Sequence, residues 1–193
     1  MGYEEIRDAL EEYVLNKLYE RRRIHTLGVR DTALKLTEKY GGDPLKAEIA
    51  ALSHDMFRGL RGEELKETVR SLGLDPRYED DPNLAHGKIA ALRLGSDYGV
   101  TDEDILNAVS YHTTGRRGMS LLEKIIYLAD CIEPNRDYPG VDDIRRDAEV
   151  SLDKACLRAM EGTIRHVRDQ GAYLDKDTLE AADFLKEQLK EIK

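Results

Sequence analysis

Apolar residues recur every three or four positions along most of the chain, and strict alternation of apolar and polar residues is nearly absent. The first predicted helix covers residues 3–19. Its Ile6, Leu10 and Val14 step by four residues along one face, which is the apolar stripe of a helix that packs on a core. The pattern predicts an all-α fold of roughly eight to ten helices.

Capping and helix-breaking residues mark the boundaries of these helices. Gly41-Gly42 ends one helix, and Asp43-Pro44 supplies the N-cap and the first turn of the next. The predicted helices cover about residues 3–19, 23–40, 43–55, 63–72, 83–98, 101–112, 120–131, 151–169 and 177–192. No internal repeat, low-complexity segment or linker interrupts them. We therefore expect one domain, residues 1–193, with a core at 20–135 and C-terminal helices at 141–193 packed on it.

The balance of charge narrows the classes of partner. The chain has 39 Asp and Glu against 30 Lys and Arg, a formal net charge of -9. This charge disfavours a nucleic-acid partner, because neutralising phosphates requires basic residues. No apolar run approaches the roughly 18 residues that span a bilayer, and the first residues do not resemble an export signal. The two cysteines, Cys131 and Cys156, form no metal or redox motif. We expect a cytoplasmic protein with no membrane partner, and the sequence leaves a homodimer open.

Four of the five histidines lie on the apolar faces of different predicted helices, and two carboxylates accompany them. The six residues are His25, His54, Asp55, His86, His112 and Asp130. A single inward histidine is most often a hydrogen-bonded core residue, and a buried carboxylate is costly unless a charge or a metal pairs with it. Imidazole together with carboxylate is a donor set that suits Fe, Mn, Zn or Co. The recurrence of the pattern therefore indicates a transition-metal site.

The order and the surroundings of these six residues resemble the HD-domain metal-dependent phosphohydrolases. The matching strings are RIHTLGV at 23–29, ALSHD at 51–55, HG at 86–87, HTTG at 112–115 and ADCIEPNR at 129–136. Together they are similar to the bacterial YqeK-type branch, whose members are symmetrical bis(5′-nucleosyl)-tetraphosphatases. The resemblance covers roughly residues 20–185 and implies a single globular HD-domain helical bundle.

The resemblance also implies two metal ions at this site. One ion would be held by His25, His54, Asp55 and Asp130, with Asp55 bridging to a second ion held by His86 and His112. The metal of the family is usually iron, and Mn, Zn or Co fit the same donors. The implied reaction is attack of metal-activated water on a phosphate of diadenosine tetraphosphate, which yields two ADP. His54, Asp55 and His86 would form its catalytic centre.

Further residues are candidates for contact with this small-molecule nucleotide. Besides His25, His86 and His112, they are Arg58, Thr113, Thr114, Gly115, Arg136 and Tyr173. The arginines, the hydroxyls and the backbone amides would contact phosphate, and the Tyr173 ring would stack on a base. Ala182-Asp183 stands where the family often has Arg-Asn, so no further base contact is assigned. Arg116-Arg117 is interpreted as a solvated pair whose loss matters little.

Two other functions are open from the sequence. One is an HD phosphohydrolase that acts on another nucleotide, and the other is a sensor that binds a nucleotide without cutting it. The HTTG string and the string at 129–136 favour the tetraphosphatase. Six candidate metal ligands weigh against a sensor, because binding alone does not need an open dinuclear site.

Overall fold

Ten α-helices and one 3₁₀ turn (Pro76–Tyr78) form the regular structure of residues 1–191, the part of the chain that the computed structural model describes. The helices are α1 (Tyr3–Lys17), α2 (Glu20–Tyr40), α3 (Pro44–Ser53), α4 (Gly62–Ser71), α5 (Pro82–Tyr98), α6 (Glu103–Tyr111), α7 (Leu121–Ile132), α8 (Val141–Ala148), α9 (Leu152–Asp169) and α10 (Lys176–Glu191). No strand occurs in residues 1–191. The all-α prediction is confirmed. None of the helices in this part is long and apolar enough to cross a membrane.

The helix α8 lies between two predicted helices and is absent from the predicted ranges. It is short, and it follows Gly140, whose φ of 93° lies in the left-handed region. Five of its eight residues are charged, namely Asp142, Asp143, Arg145, Arg146 and Asp147. Such a segment after a Pro-Gly turn has the composition of a loop. The predicted end of the last helix, residue 192, lies outside the described residues.

Side-chain caps account for the starts of α3, α5, α6 and α7, and α2 begins without one. The Oδ1 atom of Asp43 accepts a hydrogen bond from the backbone N–H of Leu45 at 2.9 Å, and Pro44 opens α3. At the start of α7, Ser120 and Glu123 form a reciprocal capping box. The hydroxyl of Ser120 accepts from the N–H of Glu123 at 3.1 Å, and Glu123 Oε2 accepts from the N–H of Ser120 at 2.7 Å.

The helix α7 runs through the core. Its Ile125, Ile126 and Leu128 are at most 1% exposed, and it packs against α2, α3, α6 and α9. In turn, α1 covers α3, and α5 packs on α6, while α8 and α10 pack on α9. Burial of these apolar side chains is the main term that favours folding. The packing also brings the C-terminal ends of α3, α6 and α7 close to the first halves of α2 and α5.

Arg116 is not a solvated residue. Its guanidinium makes two hydrogen bonds to Glu123, with Nε 2.5 Å from Oε1 and Nη2 3.0 Å from Oε2, and Glu123 is 2% exposed. The side chain of Arg117, by contrast, is 59% exposed and lies 3.8 Å from a carboxylate oxygen of Glu187. The interpretation of Arg116-Arg117 as a solvated pair is therefore wrong for Arg116.

We expect Arg116→Ala to lower the free energy of unfolding by about 1–2 kcal/mol, because it removes two hydrogen bonds from a buried carboxylate, although the guanidinium itself is 35% exposed. Urea unfolding followed by circular dichroism measures the change. Arg117→Ala is the matched control, and it should change the free energy of unfolding by less than about 0.5 kcal/mol. Equal effects of the two substitutions would contradict this assignment.

Candidate metal centre

The six sequence-predicted metal ligands converge from five helices. His25 lies in the second turn of α2, His54 is the C-cap of α3 with Asp55 following it, His86 lies in α5, His112 is the C-cap of α6, and Asp130 lies in the last turn of α7. Asp55, His86, His112 and Asp130 line a cavity of about 130 Å³, which we call the central cavity. Its lining consists of Arg22, Asp55, Arg58, His86, His112, Thr113, Asp130 and Arg136. His25 and His54 do not line it, but the Nε2 atom of each lies 3.4 Å from Oδ2 of Asp55.

Asp55 lies between two sets of imidazoles. Its Oδ2 atom is 3.4 Å from Nε2 of both His25 and His54. Its other oxygen, Oδ1, is 3.1 Å from Nε2 of His86. The first set is completed by Asp130, whose Oδ1 lies 3.1 Å from Nε2 of His25. One carboxylate therefore faces two groups of donors with its two oxygens.

All four imidazoles are held through Nδ1. Three of them direct Nδ1 at a backbone carbonyl oxygen: His54 at Ala51 (2.6 Å), His86 at Pro82 (2.9 Å) and His112 at Val109 (2.7 Å). A carbonyl only accepts a hydrogen bond, so Nδ1 carries the hydrogen and Nε2 presents a lone pair to the centre. Metal-ligating histidines are commonly oriented in this way by a bond at the other ring nitrogen.

The positions of the four Nε2 atoms favour a bound cation. Those of His25 and His54 are buried and make no hydrogen bond within residues 1–191. Those of His86 and His112 face each other at 2.9 Å, where two lone pairs would repel. Two groups bring their ligand atoms within 4.8 Å of one another, namely His25 with His54 and Asp130, and His54 with Asp55 and His112. The donors fit divalent transition-metal ions.

The protonation states of the deeper ligands suit metal binding. Burial lowers the pKa of His112 to about 3, and the neighbouring His86 and His54 act in the same direction, so His112 stays neutral. Burial would raise the pKa of Asp55, but the neighbouring histidines, His54 first and then His25 and His86, hold that pKa well below its ordinary value. Asp130 is held low in the same way by His25 and Arg136, against the effect of burial.

His25 is the exception among the ligands. Burial by itself would lower its pKa, but the carboxylates of Asp130 and Asp55, which lie 3.1 and 3.4 Å from its Nε2, raise the pKa to about 9. In the metal-free chain, the charged form of His25 stabilises the fold. This contribution is complete below pH 6.5, the ordinary pKa of histidine, and it is lost as the pH rises through about 9. A metal ion requires the neutral imidazole, so metal binding has to displace this proton at neutral pH.

We therefore expect the affinity of the metal-free chain for Mn²⁺ to rise about tenfold per pH unit between about pH 7 and pH 8.5, as one proton is displaced. Calorimetric titration in buffers of different ionisation enthalpy measures both the affinity and the number of protons released. An affinity that is constant over this range, with no proton released, would contradict the expected state of His25.

Three arginines surround the carboxylates. Arg22 donates a hydrogen bond to Oδ2 of Asp55, and Arg136 donates through Nη2 to the Asp130 side chain and through Nε to its backbone oxygen at 2.8 Å. Arg58 lies farther away, with Nε 4.0 Å from Oδ1 of Asp55. The sequence indicated Arg58 and Arg136 as candidates but not Arg22. The position of Arg22, three residues before His25 on the same helix, was the signal that could have identified it.

Glu133 orients His25 through the ring nitrogen that faces away from the centre, and the sequence did not indicate this role. It is 2% exposed, and its Oε1 accepts from Nδ1 of His25 at 3.2 Å. Its Oε2 accepts from the backbone N–H of Asn135 at 2.7 Å and from the side-chain amide of Asn135 at 3.0 Å. Gly28 makes room for it, since a Cβ at that position would lie 2.7 Å from Oε2. The glycine three residues after His25 is therefore part of the ligand support.

The remaining candidates for nucleotide contact differ in position. Thr113 lines the central cavity, and its hydroxyl lies 3.3 Å from Nε2 of His112. Thr114 is buried and donates to the carbonyl of Gly115 at 2.8 Å. Gly115, at φ 67°, packs against Met160. Neither Thr114 nor Gly115 lines the central cavity, and neither does Tyr173, which is 58% exposed.

An all-helical fold that gathers four imidazoles and two carboxylates into one cluster defines a protein suited to hold divalent metal ions. Comparison with known proteins supplies the family. The HD domain family matches residues 22–135, and the chain belongs to this family.

Similar proteins align over nearly the whole chain. A Bacillus subtilis protein named symmetrical bis(5′-nucleosyl)-tetraphosphatase is 42% identical over 173 residues, which cover 89% of this chain and 93% of the relative. A Staphylococcus aureus protein of the same name is 36% identical over 87% of this chain and 88% of its own length. A crystal structure from Clostridium acetobutylicum, described as a predicted HD superfamily hydrolase involved in NAD metabolism, has a TM-score of 0.87 at 42% identity. The alignment covers 97% of this chain and 98% of the chain in that crystal structure.

Proposed function

We propose that this chain is a symmetrical bis(5′-nucleosyl)-tetraphosphatase that hydrolyses diadenosine tetraphosphate to two ADP. The observation that carries the proposal is the position of Asp55, with one oxygen toward His25 and His54 and the other toward His86. A carboxylate between two groups of imidazoles is suited to bridge two metal ions. The 42% identity to a relative of that name over 89% of the chain supports the substrate class.

The cofactor in this proposal is a pair of divalent transition-metal ions, iron first, with Mn, Zn or Co as alternatives that fit the donors. His25, His54, Asp55 and Asp130 would hold one ion, and Asp55, His86 and His112 the other. When bound, such ions polarise phosphate oxygens and lower the pKa of water at neutral pH.

The protein groups around the centre bind and orient the oligophosphate. Arg22, Arg58 and Arg136 line the central cavity and supply positive charge where phosphate oxygens would lie. The Thr113 hydroxyl lines the same cavity and is available as a further donor. Local positive charge of this kind allows a chain of net charge -9 to bind a polyanion. His54, with no exposed surface, and His86, 3% exposed, would hold the ions at the buried side of the centre.

The setting of the reaction is part of the same proposal. Cys131 and Cys156 are both free, as expected in a reducing cytoplasm. Residues 1–193 would act as one domain, since α9 packs on α7 and α10 packs on α9. A homodimer is the alternative that the sequence leaves open.

Metal content is the first test of the dinuclear site. We expect the purified chain to carry about two transition-metal ions, because six ligands converge on one centre. Elemental analysis by plasma mass spectrometry measures this number. A chain without metal, whose activity does not increase on addition of iron or manganese, would contradict the proposal.

A substrate panel tests the assignment of the reaction. The metal-loaded chain is mixed separately with diadenosine tetraphosphate, ATP and cyclic AMP, and initial rates are compared at equal concentrations. The proposal requires the first to be cleaved fastest. Faster cleavage of ATP or cyclic AMP would favour another phosphohydrolase of the family, and tight binding without cleavage would favour a sensor.

A further inference from the structure

A second cavity opens beside the central one, along the first turn of α2 and the loop after α7. Its volume is about 530 Å³, within the range of about 300–1,000 Å³ that is typical of small-molecule sites. Its lining includes Tyr19, Arg22, Ile24, His25, Asn135 and Arg136. We call this space the outer cavity.

Two arginines connect the outer cavity to the metal centre. Arg22 and Arg136 line both cavities, and each guanidinium contacts a carboxylate of the centre, Asp55 and Asp130 respectively. His25 belongs to the outer lining and to the ligand set at once. A phosphate chain that leaves the centre in this direction would therefore pass between two guanidinium groups, which bind phosphate well.

The far end of the outer cavity has a different chemistry. Tyr19 is 63% exposed and Ile24 is 47% exposed, although both are large apolar side chains. An aromatic ring beside an aliphatic side chain is suited to the flat face of a nucleobase. Asn135 directs its amide nitrogen at Glu133, so its side-chain oxygen is left to accept a hydrogen bond.

We propose that the outer cavity receives one nucleoside of the substrate, with the base against Tyr19 and Ile24. The phosphate chain would then run between Arg22 and Arg136 to the metal centre. This inference rests on the proposed function, because a substrate cut in the middle of a tetraphosphate carries a nucleoside beyond the centre on each side. Tyr173, which lines neither cavity, is not the stacking residue on this side.

The test uses the double variant Tyr19→Ala with Ile24→Ala. Both side chains are exposed, so the fold should persist, and Leu92→Ala removes an apolar side chain of similar exposure (44%) that lines neither cavity. The probe is an analogue of diadenosine tetraphosphate with a methylene group in place of the central bridging oxygen, which spans both sides of the centre and is not cut there. We expect the double variant to bind this analogue about 10- to 100-fold more weakly, as loss of stacking predicts. We expect it to raise KM for diadenosine tetraphosphate by a similar factor. Leu92→Ala should match the wild type in both measurements.

A second readout locates the base directly. Irradiation of the metal-loaded chain with the bis(8-azido) derivative of the methylene analogue, followed by peptide mapping, should label the segment that contains Tyr19 and Ile24. Since this probe carries a reactive base at both ends, absence of label from that segment would overturn the inference.

The outcomes separate the inference from the proposed function. If the methylene analogue binds wild type and double variant equally, the outer cavity is overturned, whatever the turnover. If the analogue binds the double variant more weakly, in a chain that does not cleave diadenosine tetraphosphate, the cavity is supported and the reaction is overturned. A metal-loaded wild type that does not bind the analogue overturns both.

Discussion

Asp55→Asn is expected to reduce the rate of diadenosine tetraphosphate hydrolysis at least a thousandfold, which corresponds to about 4 kcal/mol. The substitution keeps the shape of the side chain but removes the charge that faces His25, His54 and His86. An amide is a poor bridging ligand, so the variant should also lose metal. Steady-state kinetics with saturating metal, together with elemental analysis, measure both effects.

Asp31→Asn is the control for this substitution. Its side chain is 57% exposed on α2, so the same chemical change should leave turnover within a factor of two of the wild type, a difference of about 0.4 kcal/mol. Circular dichroism should show that both variants keep their helices. Full activity of Asp55→Asn would contradict a mechanism that depends on this carboxylate.

Glu133→Gln and Gly28→Ala should weaken metal binding by about 10- to 100-fold, the usual effect of disturbing the support of a ligating histidine. Gln in place of Glu133 removes the charge that accepts from Nδ1 of His25. A methyl group at Gly28 would press on Glu133 Oε2 from 2.7 Å and displace the same carboxylate. Competition with a chelator at fixed pH measures the affinity.

Gly162→Ala is the matched control, because its Cβ would meet no atom within 4 Å and it lies in the middle of α9. It should keep metal affinity and raise the free energy of unfolding by up to about 1 kcal/mol. If Gly28→Ala binds metal as tightly as Gly162→Ala, Glu133 does not position His25.

Most of the fold follows from local signals in the chain. The apolar stripe of Ile6, Leu10 and Val14 and the caps at Asp43 and Ser120 are properties of neighbouring residues, and the helices they predict are present. The helix α8 could not be predicted in the same way, because its stability depends on packing against α9 rather than on its own charged sequence.

The residues of the candidate site also differ in how far the sequence alone could predict them. An inward polar residue breaks the apolar pattern of its own helix, so His25, His54, His86, His112 and Asp130 were visible in the sequence. The partner of a side chain from another element is not visible in this way. Glu133 supports a histidine 108 positions earlier in the chain, and Arg22 pairs with a carboxylate 33 positions later. Arg116 was misjudged for the same reason, since pairing with Glu123 depends on how a loop folds over α7.

The products of diadenosine tetraphosphate provide the most direct measurement. The metal-loaded chain is incubated with the dinucleotide, and the products are separated by ion exchange over a time course short enough to exclude secondary hydrolysis. Symmetrical hydrolysis gives ADP alone, at two molecules for each substrate consumed. AMP and ATP in equal amounts would contradict the symmetrical cut.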